Sequence, residues 1–327
     1  MNYIKMSPIA GMTGYGGGAP GLTLVGAGAS VEGNFGDRAI TAGGRSDDPS
    51  YPTYHNIVDY YSISSVANGS DFGDLSAGRS QLGSCSSGSR AFVNAGYDNG
   101  ANKDTIDFLT VSTTGNATDY GNLTSGRRGG ASASSLTRGV HGGGNDSNDT
   151  IDYWDLSTSS GNATDFGNLI NGRESVPGCS DLDRALFGGG YGNDTDIDYI
   201  TIANTGNATD FGNLSDGRTW ASSTCDLTRA VFCGGAEGSS QSSVIDYVTV
   251  QTTGNATDFG DMTSPTKKTV GVCTDGTKAM MNCGYNQSSN TYYTDIDHIT
   301  IQTTGNATDS GYNLTHTRGY TTSTSGD

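Results

Sequence analysis

The stretch Thr252–Met262 reads "TTGNATDFGDM", and its Asp-Phe-Gly triplet admits two readings. In phosphoryl-transfer machinery such an Asp holds magnesium, once per site, beside a catalytic loop and a phosphate-binding lysine. This chain has neither a His-Arg-Asp stretch nor a Val-Ala-x-Lys stretch. What it has is the triplet Asp-x-Gly many times over, opened by Asp71, Asp119, Asp165, Asp210, Asp258 and Asp309. Successive positions differ by 48, 46, 45, 48 and 51 residues. A period of that length marks an array of supersecondary units, not a metal clamp.

The unit from Arg218 to Met262 splits into four strand-like runs divided by turn chemistry. "TWASSTC" is small and β-tolerant, and "DLT" turns it into "RAVFCGG". A loop of variable length leads to "VIDYVTVQT", the run richest in β-branched and aromatic residues. "TGNAT" then turns the chain into the short "DFGDM". The third run recurs as "IVDYYSI", "TIDFLTV", "TIDYWDL", "DIDYITI" and "DIDHITI", apolar on both faces with only Asp and Ser or Thr between. A sheet covered on both sides gives that pattern. Stacking each four-stranded unit between two neighbours supplies both covers, and the radial solution is an all-β, six-bladed β-propeller.

The second run ends in a small pair whose second member is always glycine: Gly44, Gly96, Gly144, Gly190, Gly235 and Gly284. These glycines predict a backbone at positive φ or in close approach to a neighbour. Composition agrees with many short strands and tight turns: 33% hydrophobic residues, 51 glycines and 6 prolines.

A repeated Arg, a small first strand, an apolar strand ending Gly-Gly, a variable loop and a Tyr-containing strand together resemble the kelch repeat, over about residues 37–327. The resemblance implies four-stranded propeller blades. Its fourth strand usually carries Trp; here the slot holds Phe72, Tyr120, Phe166, Phe211, Phe259 and Ser310. Copper oxidases sharing that architecture need a His, Tyr and Cys cluster, which no unit singles out. With polar residues spread evenly over near-equal units, binding is the expected class of activity and catalysis is not.

The chain ends on a seventh opening strand, "RGYTTSTSGD" (Arg318–Asp327), whereas the first blade begins at "GDRAITAGG" without one. Joining the two rebuilds the unit, so the C-terminal strand is expected to complete blade one. The rival is "GLTLVGAGAS" (Gly21–Ser30) as that blade's inner strand.

Formal net charge is −17. Nucleic acid needs a basic face, so it is not an expected partner. Twelve of the 17 basic residues fall in two repeated slots: Arg38, Arg90, Arg138, Arg184, Arg229 and Lys278, and Arg79, Arg127, Arg173, Arg218, Lys267 and Arg318. The second-strand basic residue, the Asp of "I-D-Y" and the Asp of "D-F-G" are expected to form one structural ion-pair and hydrogen-bond set per blade. No run of 18 apolar residues exists, so no membrane insertion is expected. The start is too glycine-rich for the apolar region of a signal peptide, so no signal peptide is expected, and synthesis in a cytosol without the usual export is expected. The 6 cysteines occupy small-residue slots with no Cys-x-x-Cys pair, which predicts free, buried thiols and no zinc.

Four antiparallel strands place the monotonous first-to-second and third-to-fourth turns on one face. The divergent second-to-third loops and the links between blades share the other, where recognition on a rigid scaffold usually sits. Tyr51, Tyr54, Tyr97, Tyr191, Trp220, Tyr285, Tyr292 and Tyr293 map to that loop face. Aromatic planes among short polar groups suit a glycan or protein ligand.

Other motifs are discounted. "NAT" at Asn116, Asn162, Asn207, Asn255 and Asn306 is read as turn chemistry. "NDSNDTID" (Asn145–Asp152) and "NDTDID" (Asn193–Asp198) alternate oxygen ligands as calcium sites do, but lack a twelve-residue loop and a bidentate Glu, so no metal or cofactor is assigned. His141 and His298 fill strand slots held elsewhere by aromatic residues and are expected to pack.

A narrower likeness lies in "TGNATDFGNL" (Thr205–Leu214), "LTRAVFCGG" (Leu227–Gly235) and "MSPIAGMTGYGGG" (Met6–Gly18), which resemble kelch-like proteins of marine tailed bacteriophages. That likeness implies a virion-associated fibre, adhesin or decoration protein. Residues 1–36 would anchor the propeller to another virion protein, and the loop face would meet a host-surface glycan or protein.

Overall fold

The computed structural model describes residues 35–47, 53–65, 67–192, 194–237, 240–264 and 270–327. The anchoring role expected of residues 1–36, Tyr51, Lys267 and the rival inner strand at Gly21–Ser30 therefore fall wholly or mostly outside the described residues. Those described form six four-stranded antiparallel sheets. The inner strands are Gly83–Ser86, Ala131–Ser134, Gly178–Ser180, Ser222–Cys225, Gly271–Thr274 and Thr322–Gly326. Each packs against the next, and Thr322–Gly326 stands between Gly271–Thr274 and Gly83–Ser86, so the ring is closed.

Closure is made by the C-terminal strand. Thr322–Gly326 pairs with Arg38–Ala42 in a register running from Arg38 opposite Gly326 to Ala42 opposite Thr322. Blade one's inner place is thus filled by the last strand. Asp37 N donates to Asp327 Oδ1 at 2.8 Å, and Asp327 N donates to the Gly88 carbonyl at 3.0 Å, tying the tail to blade two as well.

The third strands are buried on both sides, as their composition requires: in Thr105–Thr110 the Ile106, Asp107 and Leu109 side chains are inaccessible to solvent or nearly so. What their Asp does departs from expectation. Its partner is the Arg of the preceding link, not the Arg of the second strand. Arg79–Asp107 (2.9 Å), Arg127–Asp152 (2.7 Å), Arg173–Asp198 (3.1 Å), Arg218–Asp246 (2.6 Å) and Arg318–Asp59 (3.0 Å) are buried ion pairs. The same carboxylates accept bonds from the previous blade's exit, from Ser76, Thr124, Ile170, Ser215 and Thr315. Each Asp is therefore a hub between two blades, and breaking such a buried pair typically costs about 3–5 kcal/mol.

The second-strand arginines serve a different joint. Arg38, Arg90, Arg138, Arg184 and Arg229 lie over the rings of Tyr60, Phe108, Tyr153, Tyr199 and Tyr247 at 4.2–5.1 Å. Each also donates to a carbonyl of the next blade, as Arg38 does to Val111 at 2.7 Å. The outer-strand residues Asp71, Asp119, Asp165, Asp210, Asp258 and Asp309 are exposed and stand outside these pairs. An exposed carboxylate on an edge strand disfavours edge-to-edge association.

An outer belt completes the ring. The turn Asn of one blade accepts the backbone N–H of its neighbour's outer strand: Asp74 N to Asn116 Oδ1 (3.1 Å), Asn122 N to Asn162 (3.0 Å), Asn168 N to Asn207 (3.1 Å), Asn213 N to Asn255 (3.1 Å) and Asp261 N to Asn306 (3.0 Å). Asn313 N to Asn68 Oδ1 (3.0 Å) carries the belt across the closure. The "NAT" repeats are turn chemistry with a structural task.

Candidate recognition face

Link, loop and channel meet on the loop face. Two residues after each link Arg, the chain turns left-handed: φ is 59° at Gln81, 67° at Gly129, 62° at Ser175, 61° at Trp220 and 58° at Tyr320. These residues bond head to tail around the channel. Gln81 N donates to the Tyr320 carbonyl (3.0 Å), Gly129 N to Gln81 (3.0 Å), Ser175 N to Gly129 (2.6 Å) and Trp220 N to Ser175 (3.3 Å). The repeated glycines brace this collar from outside. All six have positive φ, and Gly44, Gly96, Gly144, Gly190 and Gly284 donate to the carbonyls of Arg79, Arg127, Arg173, Arg218 and Arg318.

The predicted aromatic residues fall into two groups on this collar. In the first, Tyr54 and Tyr97 meet edge to face at 5.8 Å, and the Arg128 guanidinium lies 4.8 Å above the Tyr97 ring. Arg128 reaches Glu174 (3.3 Å) and Asn102 Oδ1 (3.1 Å). Tyr191 N is anchored on the Glu174 carbonyl (2.7 Å), leaving its side chain 74% exposed, the most exposed large apolar group among the described residues.

In the second group, Trp220 meets Tyr320 at 5.3 Å with perpendicular rings, Tyr320 meets Tyr285 at 5.7 Å, and Tyr285 meets Tyr292 at 4.7 Å. Tyr285 and Tyr292 are cross-strand partners on an arm of blade six, formed because Lys278–Asn286 and Thr291–Thr300 continue pairing past the blade body. Arg45, paired with Asp47 (3.4 Å), lies 5.9 Å above Tyr320. The Asn290 amide at the arm's tip reaches Asp47 (3.4 Å). Tyr293 projects from the other side of the arm, where Asn286 Nδ2 donates to its Oη at 3.3 Å.

Sequence reasoning missed Tyr320 and Arg45. Tyr320 stood inside the closing tail, yet the signal was present: it is two residues after Arg318, as Trp220 is two after Arg218.

Beneath the collar runs a channel of about 170 Å³ lined by the six inner strands, with Phe35 among the lining residues. Phe35 also lies near the turn at Gly276, on the turn face. Among the described residues, the lining is rich in serine and threonine and contains no Asp, Glu, Lys, Arg or His. Burial pushes the Cys85 and Cys273 thiols and the Tyr320 hydroxyl up to about 12, so all three stay protonated. All 6 cysteines are free and buried. His141 is buried against Ser132, and burial holds it well below the ordinary histidine range. His298 is half-buried in its strand.

The two oxygen-rich segments do other work. Asp152 and Asp198 lie in buried ion pairs, and Asn145 bonds Asp146 and Arg128 N. Among the described residues no group of three or more His, Cys, Asp or Glu converges on a metal site, and no helix is long and apolar enough to cross a membrane.

Compared with known proteins, the chain matches no protein-family model and none of the curated proteins.

Proposed function

We propose that this protein is a non-enzymatic recognition propeller of kelch-like type, carried on a tailed-bacteriophage particle as a fibre, adhesin or decoration protein, and that its loop face binds a host-surface glycan or protein. One observation carries the reading. Tyr54, Tyr97, Trp220, Tyr285, Tyr292 and Tyr320, drawn from different blades, are gathered on one side of the ring with Arg45 and Arg128 stacked among them. Rigid aromatic planes beside short polar groups suit recognition at little ordering cost. The opposite face carries repetitive turns, with Phe35 beside one of them at Gly276. That polarity fits a particle protein tethered through residues 1–36 to another virion component. Buried free thiols fit synthesis in a reducing cytosol, and a net charge of −17 fits neither nucleic acid nor an anionic membrane as partner.

Mass spectrometry of purified particles tests the virion role: the protein is expected among particle components, and its absence favours a propeller serving protein interaction outside a virion. Binding to host cells and to a glycan array tests the face. Trp220→Ala and Tyr292→Ala are expected to lower binding on the order of tenfold or more, as loss of buried aromatic anchors does. Equal binding by both variants contradicts the assignment.

A further inference from the structure

We propose that the loop-face mouth of the central channel is a pocket for one neutral sugar ring. This rests on the recognition reading above and names what that face takes.

Among the described residues, the channel lining offers no counter-charge to an ionic ligand. Its space, about 170 Å³, accommodates on the order of ten waters, enough for a compact polar group to replace several of them. Hydroxyls line it, among them Thr224, the pair Ser84 and Thr322, which bond each other, and Ser132, which bonds Asn94 and His141. Three buried polar atoms of lining residues lack a hydrogen-bond partner: Ser175 Oγ, Gln81 Oε1 and Ser223 Oγ. Ser175 is only 5% exposed. A buried polar atom left unpaired is costly, and turning these side chains toward a hydroxyl-bearing ligand removes that cost.

The rim supplies the complementary apolar surface. Trp220 and Tyr320 both line the opening, and their perpendicular rings form a corner. A pyranose presents an apolar C–H face beside its hydroxyls, which suits such a corner. The backbone adds an independent pointer. Gly129 shows what the collar conformation favours, yet Trp220 and Tyr320 hold φ of 61° and 58°. Bulky residues at positive φ are strained, and such strain persists where the side chain is needed.

Trp220 is also the reporter. The chain has 2 tryptophans, and the other, Trp154, is 2% exposed in the core. Full-length protein is titrated by fluorescence with methyl glucoside, methyl galactoside, methyl mannoside and N-acetylglucosamine, with glucuronate and N-acetylneuraminate as charged comparators. At least one neutral sugar is expected to shift emission saturably and both anions to fail. Ser175→Ala and Gln81→Ala, shown folded by circular dichroism, are expected to weaken that binding on the order of tenfold, while Leu136→Ala, at an exposed turn on the opposite face, leaves it unchanged. Failure of all four neutral sugars, or equal binding by the Ser175 and Gln81 variants, overturns the pocket. If Trp220→Ala and Tyr292→Ala still reduce host-cell binding in that case, the recognition face survives without it. Unchanged host-cell binding overturns the face itself.

Discussion

The Arg318 guanidinium donates to the Asp59 carboxylate at 3.0 Å, across 259 positions of sequence, with both side chains fully buried. Four further blades repeat this pair, but here it also joins the two ends of the propeller. Asp59→Ala strands the Arg318 charge without a partner, and a loss of about 3–5 kcal/mol is expected in urea unfolding. Arg318→Met combined with Asp59→Leu removes both charges and is expected to recover much of that loss.

Blade four carries a natural defect in the same device. Where the other units place Ser or Thr at the preceding blade's exit, this one receives Ile170, which donates only its backbone N–H to Asp198, at 3.1 Å. Asp198 Oδ1 is left without a partner, and burial raises the carboxyl above its ordinary value. Ile170→Thr restores the hydroxyl, and a gain of about 0.5–1.5 kcal/mol is expected at neutral pH. The sign with pH follows from linkage. A carboxyl raised in the folded state contributes stability below its unfolded pKa and loses it as pH rises through the folded value. A hydroxyl donor favours the charged carboxylate, so the gain from Ile170→Thr is expected to grow from pH 3 to pH 7 in equilibrium unfolding.

Contact between blades is separable from backbone strain at two glycines. Gly212 has φ of 143°, and a Cβ there would collide with the Gly254 carbonyl oxygen of the next blade. Gly254 has φ of 155° with open space around it. Gly254→Ala is expected to cost about 1–3 kcal/mol from strain alone. Gly212→Ala is expected to cost more, and the difference in thermal or urea unfolding measures the seam.

The thiols give a pH signature. Burial raises Cys85, Cys233 and Cys273 to about 12 and Cys283 to about 11, against an ordinary value of 9.0. A thiol raised on folding contributes stability that is complete below the unfolded value and lost as pH climbs through the folded one. Progressive destabilisation between pH 9 and 12 is expected. At pH 8 the native protein is expected to resist a thiol reagent that titrates all 6 cysteines once it is unfolded.

Much of this architecture was legible in the sequence because its devices repeat. The spacing of Asp71 through Asp309 set the unit, and "STSGD" beside "GDRAITAGG" foretold the closure seen between Arg38–Ala42 and Thr322–Gly326. The Asp partner was not legible. Arg79 and Arg90 both recur, and only the path of the link turns Arg79 inward to Asp107 while Arg90 lies over Phe108. Nor does periodicity reveal that Trp220 and Tyr320 touch, since they sit 100 residues apart and meet only once the ring is closed.

The closed ring is the claim on which the faces, the collar and the pocket all depend, and removal of Arg318–Asp327 tests it most directly. That deletion takes away blade one's inner strand, the Arg318–Asp59 pair and the Tyr320 link of the collar together. A fall in melting temperature with a broadened, less cooperative transition is the predicted result. Melting indistinguishable from that of the full chain contradicts it.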